Sequence, residues 1–402
     1  MTNMRKAAII APNSLPVPPV RGGGIQNGIA EIIKHYRNYK PYVFSICEPG
    51  VDHLPLFEVD GLAEHHRIRL TSWEEFKINL THLSRRNYFP YVLEICKQLK
   101  EIKPDIIHVR SRPWFLPILR KYLGKGIKII EHNHNNYFME MGRREVKGYL
   151  DLMDAFAGPS RFTVNAEVLS RFPEEANRCF VIYNGVNIDK FRPKWEKKGA
   201  ADEVRKRLGI AQDDVVILFV GRLSKDKGVD VLVEAIKRIP DNLRKVKFLV
   251  VGSRFFGSDD KVTDFMKKLY ESAKAISDKV IFTGFVPPDK INEIYWASDV
   301  LVVPSRMETF GHVYAEAGAS GLPVVATKAG AIPEIVADGE TGLLMDDPKN
   351  IDDLKDKIWY FIENPQMRRL FGERARKRME ENFTWETAAR RTEAMYDKVL
   401  SS

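Results

Sequence analysis

Arg222 and Lys227 stand five positions apart in the turn Gly221-Arg222-Leu223-Ser224-Lys225-Asp226-Lys227-Gly228, directly after the apolar run Val215–Val220. A guanidinium can fork onto two phosphate oxygens, and a lysine near a helix N-terminus adds a mobile point charge. Glycines at both ends of the turn let the backbone approach an anion closely. Further along, Glu308-Thr309-Phe310-Gly311-His312-Val313-Tyr314-Ala315-Glu316 spaces two carboxylates eight positions apart. On a helix that is about 2.2 turns, so both would lie near one face, Glu308 in a strand-end loop and Glu316 two turns into the helix. Gly311 and His312, at the expected helix start, can offer backbone N–H groups to phosphate. Carboxylates beside a phosphate must point elsewhere, and hydroxyl groups are their natural ligands. Each segment alone also fits an ordinary strand-to-helix turn or a capped surface helix. Together they suit a ligand carrying both a diphosphate and hydroxyl-bearing rings, a nucleotide-sugar. The first turn is not a Walker loop, because no Gly-Lys-Ser/Thr follows at the required spacing.

A third candidate lies near the N-terminus. Leu15-Pro16-Val17-Pro18-Pro19-Val20-Arg21-Gly22-Gly23-Gly24-Ile25-Gln26 is a glycine-rich loop opening a helix, with Gly23 and Gly24 able to bring N–H groups up to a phosphate or an acceptor. It departs from the Gly-x-Gly-x-x-Gly dinucleotide pattern, since position 27 is Asn and the next glycine is Gly28. A plain flexible loop is the alternative.

Two blocks of alternating strands and helices must position these groups. In the first, strands are expected at Ala7–Ala11, Tyr42–Ile46, Ile106–Val109, Ile127–Glu131 and Ala155–Gly158, with helices near Ile25–Tyr36 and Tyr91–Lys100. The stretch Asn187–Asp214, rich in charge and holding Pro193 and Gly199, reads as a linker with a short helix. In the second block, strands at Val215–Val220, Lys247–Val251, Val280–Thr283, Val300–Val303 and Val324–Ala326 alternate with helices near Val229–Arg238, Lys261–Ala275, Ile291–Ala297, His312–Ser320 and Ile332–Val336. Continuous apolar strands joined by helical crossovers imply a parallel sheet covered on both faces. The expected fold class is therefore α/β, with two doubly wound, Rossmann-like domains. The expected division is 1–190, 191–380 and a final helix, 381–402, packing back toward the N-terminal domain. The basic stretch from Ile351 to Leu400 reads as helical, broken near Asn364-Pro365 and Asn382-Phe383-Thr384. Packing is its expected role, with a membrane-surface role left open. The segment Thr71–Tyr91 has no interpretable signature.

Composition narrows the classes. The 402 residues are 44% hydrophobic and 29% charged, values of a folded globular chain and not of a disordered or fibrous one. The longest apolar runs are strand-sized and too short to span a bilayer. The start, through Pro12, reads as a first buried strand and not as a signal peptide. Cys47, Cys96 and Cys179 lack Cys-x-x-Cys spacing and read as reduced core thiols of a cytoplasmic protein. A net charge of +9 suits an anionic partner, or simply a basic solvated surface. The basic residues are dispersed, and no nucleic-acid-binding motif is present.

In order and placement, these motifs resemble the retaining glycosyltransferases of family 4, over nearly the whole chain. Further matching pieces are Phe219-Val220-Gly221-Arg222-Leu223, Gly284-Phe285-Val286, Ala297-Ser298-Asp299-Val300, Gly321-Leu322-Pro323-Val324-Val325, Pro333-Glu334 and Gly339-x-x-Gly342-Leu343-Leu344. A spore-coat branch of that family is matched by Leu15-Pro16-Val17-Pro18-x-Val20-Arg21-Gly22-Gly23, Arg112-Pro113, Ser170-Arg171-Phe172-Pro173, the run Phe219–Lys225 and Gly252-Ser253-x-x-Phe256-Gly257. The resemblance implies the GT-B fold, with the two domains facing across a cleft. It implies that Arg222 and Lys227 hold the donor diphosphate, that Glu308 binds the donor sugar, and that Glu316 binds the ribose. The backbone of Gly284-Phe285-Val286 would lie against the base, and Phe310, Gly311 and His312 would belong to the donor site. The loop at Gly23 and Gly24 would face the donor phosphates. A histidine near the reacting sugar is matched best by His134, after the strand Ile127–Glu131, with His132 as runner-up.

No metal and no cofactor beyond the nucleotide-sugar itself is implied, and the chain has no Asp-x-Asp pair. The nucleotide is left open, a UDP-sugar being the expected donor, and the acceptor is an undefined glycan, lipid or small molecule. The expected setting is the cytoplasm, with peripheral membrane or spore-coat association left open. Other readings are a sugar-nucleotide epimerase and a coat-associated protein that kept the site but lost turnover. A glycan phosphorylase would be much longer, and a dehydrogenase would need the missing dinucleotide fingerprint.

Overall fold

The computed structural model describes residues 4–19, 23–47, 55, 57–59, 61, 63–69, 88–240, 246–253 and 262–402. Val20, Arg21 and Gly22, Phe256 and Gly257, and residues 71–87 lie outside the described residues. The chain divides into two compact units, one formed by 1–185 with 385–402 and the other by 186–384.

The first unit holds β1 (Arg5–Ile10), β2 (Tyr39–Ile46), β3 (Phe57–Val59), β4 (Glu64–Ile68), β5 (Ile106–Arg110), β6 (Lys128–His132), β7 (Ala155–Gly158) and β8 (Cys179–Val181). They form one sheet in the order β3-β4-β2-β1-β5-β6-β7-β8, parallel except for the β3–β4 pair. Alternation along the strands sorts the core into two layers. Ala8, Ile10, Ile107 and Val109 pack under helices Phe89–Ile102 and Leu116–Leu123. Ala7, Ile9, Ile106 and Ile130 pack under helix Gly24–Ile32 and the C-terminal helix Trp385–Ser401. That last helix is therefore part of the first unit, and its Trp385, Ala389, Tyr396 and Val399 are buried there.

The second unit holds β9 (Val215–Val220), β10 (Val246–Val251), β11 (Val280–Gly284), β12 (Val300–Val303), β13 (Val324–Thr327) and β14 (Gly342–Met345), in the order β11-β10-β9-β12-β13-β14. All their pairings are parallel. The chain runs outward from β9 through β10 to β11, then returns to the other side of β9 at β12. Crossovers on either side of that point go to opposite faces and leave a crevice at the strand ends, where ligands of such sheets bind.

Several elements differ from the sequence reading. β3, β8 and β14 were not anticipated; two of them are three residues long and Gly342–Met345 is only four. β4 reads Glu-His-His-Arg-Ile, without the apolar character of a central strand, because buried Arg67 is satisfied by the carbonyls of Pro55 (2.7 Å) and Val17 (3.2 Å). Helix Phe89–Ile102 exceeds the expected Tyr91–Lys100, Pro90 being tolerated in its first turn. The stretch read as a linker packs firmly within the second unit. Lys194 pairs with Asp299, and Arg205 reaches both the Asp299 carboxylate (2.8 Å) and the Ala297 carbonyl (3.0 Å). Cys47 and Cys96 are buried as expected, whereas Cys179 is half-buried, and none of the three is in a disulfide. Among the described residues no helix is long and apolar enough to cross a membrane.

Candidate functional site

The switch point of the second unit collects the predicted cations and carboxylates. The turn after β9 is stitched to the end of β10 by Gly221 N–H to Val251 O (3.0 Å) and Leu223 N–H to Ser253 O (3.0 Å). Gly252, at φ 141°, lies so close that a Cβ there would stand 1.8 Å from the Gly221 carbonyl oxygen. Only glycine lets the two strand ends meet with the turn aimed out of the sheet. Gly252→Ala will therefore destabilise the second unit by about 1–3 kcal/mol and displace the Arg222 turn. A lowered denaturant midpoint checks this; an unchanged midpoint would refute it.

Arg222 lies on the exposed rim and pairs with Asp226 at 2.9 Å, a contact a phosphate can displace cheaply because an exposed ion pair contributes about 0–1 kcal/mol. Lys227 is more enclosed. Its Nζ stands 2.5 Å from Glu308 Oε1, with the two side chains only 19% and 12% exposed. Glu308 Oε1 also accepts from Ser305 Oγ at 2.9 Å. The turn after β9 and the loop after β12 are joined by Arg306 N–H to Asp226 O (2.8 Å). Behind the loop, Ala331 N–H donates to Glu308 O (2.9 Å), and a Cβ on Gly330 would sit 2.2 Å from that same oxygen. Glu308 is thus held from three sides. The cationic turn and the acidic loop, read separately from the sequence, occupy one edge of one sheet.

Helix His312–Ala319 begins after Gly311, so Glu316 lies one turn into it and not the two turns expected. Its Oε2 accepts from Tyr295 Oη at 2.8 Å. Burial pushes the Glu316 carboxyl up to about 7, against the opposing pull of the Tyr295 hydroxyl and Lys190. The unfolded chain binds this proton with a pKa near 4.5, so the folded chain holds it more tightly. Stability from this group is greatest at low pH, declines above about 4.5, and its loss is complete above about 7. Glu316→Gln, which keeps an acceptor for Tyr295, will raise the melting midpoint more at pH 8 than at pH 5. An equal effect at both pH values would contradict this.

Burial lowers the His312 imidazole to about 4, so it is neutral near pH 7, edge-on to Phe310 at 5.2 Å. Phe310 is buried and packs toward Phe383, so its side chain belongs to the core. Phe285 is half-buried just beyond Gly284 at the end of β11.

In the first unit, Gly23 is the N-cap of helix Gly24–Ile32 at φ 130°, and no side chain caps that end. Gly24 is exposed. His134 follows β6, and its backbone N–H donates to Ser111 Oγ at 2.7 Å, Ser111 itself lying at φ 55°. The His134 ring stacks on His132 at 4.3 Å. His132 is buried in the strand end, beside the wholly buried His108 and Arg110. Asn133 donates to Glu167 Oε2 (2.8 Å), which with its partner oxygen also takes the N–H groups of Phe138 and Met139, so Glu167 shapes the loop after β6. Sequence reasoning missed His108, Arg110 and Glu167. The signal available was polar residues inside the apolar strand Ile106-Ile107-His108-Val109-Arg110. Among the described residues, no group of three His, Cys, Asp or Glu side chains could hold a metal ion.

Two Rossmann-like parallel-sheet units, the second with cations and carboxylates gathered at its switch point, define the GT-B class of fold. Comparison with known proteins agrees. The family "Glycosyl transferases group 1" matches residues 200–378 and "Glycosyltransferase Family 4" matches 22–190. The chain belongs to these glycosyltransferases. It is 30% identical to spore coat protein SA of Bacillus subtilis (strain 168), over 98% of this chain and 99% of that protein. It is 32% identical to the putative glycosyltransferase YtcC of the same organism, over 98% and 93%. Among solved structures, Anabaena Alr3699/HepE in complex with UDP and glucose superposes with a TM-score of 0.74 at 22% identity, over 98% of this chain and 99% of that one.

Proposed function

We propose that the chain transfers a sugar from a UDP-sugar to an acceptor hydroxyl, with retention at the anomeric carbon and without a metal ion. The observation that carries this reading is the Lys227–Glu308 contact at the switch point, a cation for the diphosphate touching a carboxylate for the sugar. The bond from the anomeric carbon to the diphosphate oxygen breaks, and a bond to the acceptor oxygen forms on the same face. The acceptor proton passes to the departing phosphate oxygen. Negative charge grows on that phosphate, and Arg222, Lys227 and the first N–H groups of helix His312–Ala319 stabilise it. Charge that a metal would otherwise supply comes from these cations.

Glu308 accepts from hydroxyls of the transferred sugar and Glu316 from the ribose, while Gly284-Phe285-Val286 lies along the base. In the first unit, Gly23 and Gly24 offer backbone N–H groups suited to a phosphate, and His134 a ring suited to a sugar hydroxyl. The UDP-bound Anabaena structure supports the choice of nucleotide. The near full-length likeness to spore coat protein SA supports an envelope or spore-coat glycan as the acceptor, with transfer taking place in the cytoplasm.

The test is incubation with UDP-, GDP- and ADP-sugars, with and without candidate acceptors, in excess chelator. Release of UDP only with acceptor, and a product of unchanged anomeric configuration by NMR, is expected. Isomerised donor in the absence of acceptor would make the chain an epimerase. An inverted product, or loss of activity in chelator, would overturn the corresponding part of the proposal.

A further inference from the structure

We infer that Tyr36, Tyr396 and His108 form a buried hydrogen-bonded chain that holds His132 as its Nε2–H tautomer. This makes His108 and Tyr396 positioning residues for a preset donor at the end of β6; their role in turnover, though not the tautomer, rests on the glycosyl transfer proposed above. The links are short. Tyr36 Oη lies 3.1 Å from Tyr396 Oη, Tyr396 Oη 2.7 Å from His108 Nδ1, and His108 Nε2 3.2 Å from His132 Nδ1. The two imidazole planes are within 6° of parallel, so an in-plane N–H of one can meet the in-plane lone pair of the other. All four residues are buried, and three of them are at most 1% exposed.

Both imidazoles are neutral. Arg110, itself 2% exposed, follows His108 on the same strand face and is the register partner of His132. A second cation in this dry layer next to the guanidinium is strongly disfavoured. Burial, and after it Arg110, accordingly push His108 and His132 well below the ordinary histidine range. A neutral imidazole has one N–H and one lone pair, so the two bonds of His108 can be polarised in only two ways.

In the first, Tyr36 donates to Tyr396, Tyr396 to His108 Nδ1, and His108 Nε2–H to His132 Nδ1. His132 must then carry its proton on Nε2. In the second, both His108 bonds are reversed, Tyr396 Oη accepts from His108, and either tyrosine can donate to the other. One tyrosine hydroxyl hydrogen and the bare His132 Nε2 are then both without partners among the described residues. The first arrangement leaves only the His132 Nε2–H unsatisfied, and buried polar groups left without partners are costly. The first is therefore the native one. Its leftover donor sits at the strand end, in the residue stacked on His134, and calls for an oxygen acceptor such as a sugar hydroxyl or a phosphate oxygen.

The test is two-bond proton–nitrogen NMR of the histidine-labelled full chain, with the His132 signals assigned from a His132→Gln variant. His132 should be Nε2–H in the wild type. It should remain so in Tyr36→Phe, which deletes only the outermost donor. It should become a mixture of tautomers in Tyr396→Phe, in which kcat falls by about 10-fold with the KM for donor unchanged. An Nδ1–H signal in the wild type, a shift in Tyr36→Phe, or an unshifted His132 in Tyr396→Phe would overturn the chain's polarity. Correct tautomers in a chain that transfers no sugar would instead overturn the proposed reaction and leave the tautomer assignment standing.

Discussion

Lys227→Ala will lower turnover by about 10²–10³-fold while the chain stays folded. Lys227 is the least exposed cation of the donor edge, and its ammonium already points at the carboxylate assigned to the sugar. A bound diphosphate brings two negative charges to the same spot, and the charge on the outer phosphate increases as the glycosidic bond breaks. An ammonium fixed there stabilises the transition state more than the ground state, which is the condition for an effect on kcat and not on KM alone. The loss of folding stability should be small, because Glu308 keeps its bond from Ser305. Arg222 sits on the rim with a loose ion pair, and Arg222→Ala should also cost orders of magnitude in turnover. Arg222→Lys separates charge from geometry, since lysine keeps the charge but loses the fork. Turnover at saturating donor, with the melting midpoint as control, checks all three variants. Wild-type rates in Lys227→Ala would remove the cationic turn from the mechanism.

Glu308→Gln will have two effects of opposite sign. It should lower kcat/KM for the nucleotide-sugar by about 10²-fold, because the sugar hydroxyls lose a charged acceptor. It should leave binding of free UDP unchanged or tighter, because Lys227 is released from its carboxylate and no longer shared. A residue that merely braced the loop would weaken both ligands together. Initial rates over a donor series and the thermal shift produced by UDP distinguish these outcomes. Parallel losses for sugar and nucleotide would refute the assigned role.

The sheet of the second unit was largely legible because Val215–Val220, Val300–Val303 and their neighbours are continuous apolar runs that only a doubly covered parallel strand can bury. The donor-edge residues were legible for a related reason: Arg222, Lys227 and Glu308 each follow such a run, and strand ends are where open parallel sheets bind ligands. Periodicity assigns a face, however, and does not name a long-range partner. Nothing in the sequence pairs Lys227 with Glu308 in particular, or seats Glu316 under the hydroxyl of Tyr295. Phe310 enters the donor site only through the family resemblance, and its ring is buried in the core. The polar layer of the first unit was the least legible. His108 meets Tyr396 across 288 positions, and Arg67 lies in a strand whose buried polar groups imitate a surface segment. Such groups look exposed by composition and are buried only because distant carbonyls and hydroxyls satisfy them.

The most direct measurement is calorimetric titration of the wild-type chain and of Lys227→Ala with UDP and with inorganic diphosphate. Saturable binding of both ligands by the wild type, at least tenfold weaker in the variant, is predicted. Absence of binding in the wild type, or equal affinity in the two proteins, would show that the turn after β9 and the loop after β12 do not hold a diphosphate donor.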